Sequence, residues 1–163
     1  MREQVVPEGW HVRSWSVWGR LETAAKGVGI VASAAGVLMV TTAASIQISG
    51  LGYGLVGVVG VLALLSIVQL LLRIGQKEVT SLVFAVANLL GYAGLVDLVL
   101  YAPQATWVPM VFGGAYVAGE LIKQRFLAVS GYTENGQSTA QMTNFSRVMA
   151  GLHALVAVLA LLR

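Results

Sequence analysis

The run from Gly27 to Leu72, GVGIVASAAGVLMVTTAASIQISGLGYGLVGVVGVLALLSIVQLLL, contains no Asp, Glu, Lys, Arg or His. A hydrocarbon core about 30 Å thick takes roughly 20 apolar helical residues to cross, so a charge-free run this long holds two crossings. Something must turn the chain between them. Ser49 with Gly50, Gly52 and Gly54 is the densest turn signal in the run, which places one span at about 27–47 and the next at about 51–72.

Working outward from that run, Arg73, Gln76, Lys77 and Glu78 form a polar break, and residues 79–101 make a third apolar window carrying Asn88 and Asp97. Residues 102–105 turn the chain. Trp107 and Pro109 then open a fourth window at 107–123, since Pro is tolerated in a first helical turn and Trp favours the headgroup level. A polar stretch at 129–143 reads as a cytoplasmic loop, and the last window is 144–162, with Arg147 already inside it. Before the first span, Trp10, Ser14, Val17, Trp18 and Leu21 lie on one helical face. That pattern predicts a short amphipathic helix at 7–22 in the membrane interface, anchored by Trp10 and Trp18 as Trp107 anchors the fourth span. The first apolar window begins too far from Met1 for a short secretory leader, so the N-terminus is expected to be retained.

Composition agrees with this division. Of the 163 residues, 57% are hydrophobic and 10% charged, with mean hydropathy +0.79, whereas an ordinary soluble domain is about 25% charged. So apolar a chain cannot cover its own surface in water, which excludes a soluble enzyme. The expected fold is all-α: one membrane domain, a bundle of five transmembrane helices preceded by the interfacial helix. Nine of the ten Lys and Arg fall at one set of span ends, and only Arg163 falls opposite. By the positive-inside rule the N-terminus is cytoplasmic and the C-terminus lies across the membrane. The net charge of +3 makes no contiguous basic surface, so nucleic acid is not an expected partner.

Small residues recur four apart within the spans, and Gly36, Gly54, Gly91 and Gly119 are the expected helix-packing positions, because helices in lipid associate by close backbone approach. Four polar residues inside spans are candidates for an ion or polar-ligand route: Asp97, Glu120, Tyr116 and His153. Each also has a structural reading. Asp97 lies near an outer interface, Glu120 has Lys123 three residues on, and a lone His most often bonds a neighbouring helix. Gln69 and Asn88 are read as interhelical hydrogen bonders, with Asn88 and Asp97 serving different neighbours.

Cofactors are constrained by what the chain lacks. With no Cys there is no thiolate metal site or iron-sulfur cluster, and no other metal-binding motif is present. His11 and His153 cannot both ligate an internal bis-histidine haem, since His11 lies outside the spans. A retinal Schiff base is disfavoured because no Lys lies mid-span in the windows above. The length and span number are like those of the tryptophan-rich sensory proteins, but that family's proline-rich aromatic signature is absent from the first loop, so no family is assigned. The expected function is a non-catalytic accessory or scaffold subunit of a membrane assembly, its partners being the bilayer and other membrane subunits or further copies of itself. A small oligomeric transporter or channel using the carboxylate route is the first alternative. A binder of, or enzyme acting on, an apolar ligand is the second.

Overall fold

The computed structural model describes residues 8–10, 16–38, 49–102, 104–133 and 136–163. They form five helices, α1 (Val17–Leu38), α2 (Gly50–Gly75), α3 (Val79–Tyr101), α4 (Trp107–Ser130) and α5 (Thr139–Leu162), and no sheet. Four of them, α1, α2, α3 and α5, are long and apolar enough to cross a membrane, and lipid is the solvent their exposed Val, Leu and Ile side chains suit.

Capping chemistry rather than hydropathy sets where the helices end. Ser49 accepts a hydrogen bond from the Gly52 amide and starts α2. At the other end of α2, the Lys77 amide donates to Ile74 O and the Glu78 amide to Arg73 O, with Lys77 left-handed at φ 54, a Schellman arrangement. Glu78 then caps α3 through the Thr80 and Ser81 amides, so one residue closes the turn and opens the next helix. Gly131, at φ 59, ends α4. Ser138 and Gln141 form a capping box at the start of α5.

These caps correct several expected boundaries. The fourth helix does not stop at 123: α4 continues for two more turns, because Lys123 and Arg125 are good helix formers near a helix end. α5 likewise begins at Thr139 rather than 144, which leaves a connection of 131–138 in place of a 129–143 loop. A separate interfacial helix at 7–22 is not what forms among the described residues. Residues 8–10 are non-helical, with Gly9 at φ 78, and Val17 to Glu22 are the opening turns of α1 itself. No helix breaker divides Leu21 from Gly27, and the pairing of Glu22 with Lys26 ties the two segments into one helix. The part of that prediction at 11–15 and the end of the first span at 39–47 lie outside the described residues.

The helices close into a ring in the order α1, α3, α2, α5, α4 and back to α1. Directions follow from the contacts. Gly119 of α4 lies on Lys26, Gly29 of α1 on Tyr116, and Gly36 on Val108, so α1 and α4 are antiparallel. Ser33 donates to Gly91 O and lies against Gly94, while Gly36 meets Leu98, so α1 and α3 are parallel. Glu120 meets Ser146, and Gly113 meets His153 and Ala157, so α4 and α5 are antiparallel. The basic ends of all five helices therefore gather at one end of the bundle. At the other end, Arg163 donates to Val99 O and ties α5 to α3.

Candidate functional site

Polar side chains inside the ring occupy its basic half. Lys26, nine residues into α1, is buried, and its ammonium donates to Glu22 Oε1 and to Glu120 Oε1, both at 2.6 Å. Exposure of the side chains falls from 23% at Glu22 to 7% at Lys26 and 5% at Glu120, so Glu22 stands between the surface and the buried pair. The other carboxylate oxygen, Glu120 Oε2, accepts from Ser146 Oγ at 2.6 Å, which brings in α5. Gly119 makes room for this. A Cβ there would lie 2.7 Å from Lys26 Cγ, so the lysine stem crosses α4 over bare backbone.

One turn further in, aromatic groups take over. The Lys26 ammonium is 6.0 Å from the centre of the Tyr116 ring, beyond strong contact but on the same line. Tyr116 is stacked between Phe112, at 4.4 Å, and His153, at 4.5 Å, and its hydroxyl donates to Asn88 Oδ1 of α3. His153 Nδ1 faces Met149 O at 2.7 Å, and since a carbonyl only accepts, Nδ1 carries the proton. In the neutral ring Nε2 is then the acceptor for the Tyr92 hydroxyl at 2.9 Å. Ser66 of α2 neighbours that hydroxyl, so all five helices contribute to the file.

Beyond Tyr92 the interior is apolar. Leu55, Val59 and Leu62 of α2, Leu95 and Leu98 of α3, Val108 and Phe112 of α4, and Val156 of α5 are all buried together. The polar file is thus open to one end through Glu22 and closed by side-chain packing at the other. Among the described residues, Thr80 Oγ1 is the one buried side-chain polar atom without a hydrogen-bond partner.

Of the four route candidates, Glu120, Tyr116 and His153 are brought together here, and Asp97 is not. Asp97 is half-buried toward the far end of α3, with no hydrogen bond or ion pair to any described residue. Glu120 pairs with Lys26 rather than with Lys123, its neighbour along α4. The lysine corrects a second expectation, that no Lys lies mid-span: Lys26 is well inside α1, so that reason for setting aside a lysine Schiff base does not hold. Its ammonium is engaged by two carboxylates. Lys26, Glu22 and Tyr92 are the members of the file that the sequence reading missed. The available signals were the i,i+4 spacing of Glu22 and Lys26 and the adjacency of Gly119 to Glu120.

The expected packing glycines divide as well. Gly36, Gly91 and Gly119 each lie where a Cβ would meet a neighbouring helix, at 2.7 to 3.0 Å, whereas Gly54 is exposed with no described atom within 4 Å of that position. Among the expected anchors, Trp10 and Trp18 are half-buried and Trp107 is exposed. Comparison with protein-family models, with curated proteins and with solved structures finds no match to this chain.

Proposed function

We propose that this chain is a five-span membrane protein with its basic end in the cytoplasm, and that it serves as a non-catalytic accessory or scaffold subunit of a membrane assembly. Although α4 is less apolar than the rest, it runs antiparallel against both α1 and α5 and so crosses with them. The orientation rests on charge. Among the described residues, Arg20, Lys26, Arg73, Lys77, Lys123, Arg125 and Arg147 lie toward one end of the bundle and Arg163 at the other.

The observation that carries the functional reading is the satisfied interior. The buried ammonium, carboxylate, imidazole and phenols use one another as partners, between helices, so the file acts to specify which helices pair. What remains available to other molecules is the exterior. Native mass spectrometry on protein extracted gently from its own membrane tests this: a stoichiometric protein partner is expected, and recovery of the chain alone would overturn the reading.

A transport reading has one specific observation in its favour, the step from half-exposed Glu22 to buried Lys26 and Glu120, which gives ions a one-sided approach. It predicts that Glu120→Gln abolishes cation or proton flux in vesicles of the purified protein. Unchanged flux would remove Glu120 from any route.

A further inference from the structure

The depth of Arg147 in the bundle sets it apart from the other exposed basic residues. From Arg147 to Leu162 is fifteen residues of α5, about 22 Å of helix. Contacts of Gly113 with His153 and of Glu120 with Ser146 place Arg147 opposite Gly119, twelve residues or about 18 Å from Trp107 at the start of α4. Gly119 in turn lies on Lys26, eight residues or about 12 Å from Trp18. Trp18 at one end and Trp107 with Tyr101 at the other are thus separated by about 30 Å, the thickness of a hydrocarbon core, with the aromatic rings at its two faces. Arg147 stands roughly 12 Å inside the cytoplasmic face.

At that depth Arg147 points outward. It is exposed on the bundle surface, as are Phe145 and Val148 beside it and Leu155 and Val158 further along the same helix. Among the described residues its only hydrogen bond is a long one, 3.4 Å, to Asn144 Oδ1, and no described carboxylate pairs with it. The nearest acid by level, Glu120, is turned inward and held by Lys26 and Ser146. An unpaired guanidinium facing hydrocarbon costs a few kcal/mol. Next to it, one turn along the same face, Gly151 is exposed with no described atom within 4 Å of a Cβ position, so the α5 backbone can be approached closely there.

We propose that this face of α5, Arg147 with Gly151, Leu155 and Val158, docks a transmembrane helix of another protein that carries an Asp or Glu at the level of Arg147. The proposal deepens the accessory-subunit reading and rests on it. Charge complementarity selects the occupant, since a carboxylate on a helix pressed against Gly151 pairs the guanidinium and removes both from lipid. The described acids of a second copy of this chain do not fit. Among the described acids, Glu22, Glu78 and Glu120 are engaged internally, Glu8 lies outside the helices, and Asp97 lies about 16 Å further across the membrane than Lys26 in a parallel copy.

The test uses two synthetic transmembrane peptides, identical Leu/Ala helices with either Glu or Gln about 12 Å from the cytoplasmic face. Each is co-reconstituted with the full chain in phosphatidylcholine vesicles, with association read by fluorescence energy transfer. The wild type is expected to favour the Glu peptide about tenfold, the preference vanishing in Arg147→Gln and persisting in part in Arg147→Lys. Gly151→Leu, which keeps the charge and blocks close approach, is expected to lose it too. Equal association of both peptides, or a preference that survives Arg147→Gln, overturns the proposal. So does loss of the preference on adding phosphatidylglycerol, with that lipid retained by wild type and not by Arg147→Gln in native mass spectrometry, because Arg147 is then a lipid-headgroup site. A native partner captured equally by wild type and Arg147→Gln refutes this docking face and leaves the accessory reading standing. Absence of any native partner sinks the accessory reading, while the peptides still score Arg147.

Discussion

Gly113 and Gly54 have the same side chain and opposite surroundings. A Cβ on Gly113 would lie 2.5 Å from His153 O and 2.9 Å from Ala157 N, backbone atoms that cannot step aside, so α4 and α5 touch main chain to main chain there. Gly113→Ala is therefore expected to destabilise the bundle by about 1–3 kcal/mol through overpacking. Gly54→Ala, exposed on α2, is expected to be neutral or to gain up to about 1 kcal/mol of helix propensity. Thermal melts in detergent followed by circular dichroism compare the two, and equal losses would mean that Gly54 faces a helix after all. Lys77 is the converse case, a side chain where glycine belongs. Its φ of 54 costs about 1–2 kcal/mol for an L-residue, and Gly gives back about 0.5–1 kcal/mol in unfolded-state entropy. Lys77→Gly should then raise stability by roughly 0.5–1 kcal/mol, and a lowered melting temperature would show that the lysine side chain contributes more than its backbone costs.

At the scale of the elements, the bounds of the third helix are legible to the residue, because Glu78 and the turn at 102 bracket a single apolar window. The ends of α4 and α5 are not. Hydropathy locates where lipid begins, whereas a helix ends where its last amides and carbonyls find other partners, here at Gly131 and Ser138, several residues outside the apolar windows. Glu78 shows what such an end is worth. Burial raises the pKa of its carboxyl, but the bonds from the Ser81 and Thr80 amides outweigh that and hold it below the usual carboxylate range. A group with a depressed folded-state pKa contributes stability above its unfolded value, about 4.3 for Glu, and loses the contribution as pH falls through the folded value. Glu78→Ala is expected to cost about 1 kcal/mol near neutral pH and progressively less below pH 4. Melts of both proteins between pH 3 and 7 read this directly, and a difference independent of pH would assign the loss to packing instead of the cap.

For the whole molecule, the site was half legible. Glu120, Tyr116 and His153 stand out because polar groups are rare in apolar windows, but Lys26 falls at the edge, since a window that must be charge-free stops at the first charge it meets. What brings Lys26 to Glu120 is a contact between residues ninety-four apart, made by an antiparallel pairing of α1 and α4 that no local pattern encodes. The consequence is a three-helix tie, α1 to α4 through Lys26 and α4 to α5 through Ser146, on which the ring closure depends. Removing Lys26 leaves Glu120 buried without a counter-charge, whereas removing Glu120 leaves Lys26 with the more exposed Glu22, so Lys26→Met alone should cost about 3–5 kcal/mol and Glu120→Leu alone somewhat less. The double variant Lys26→Met with Glu120→Leu removes the burden from both sides and should recover most of that loss, since a well-packed apolar pair commonly matches a buried ion pair. The four proteins make a double-mutant cycle whose coupling is read from detergent unfolding. Additive losses would mean that the two charges do not depend on each other, and the reading of the file as the element that specifies helix pairing would go with them.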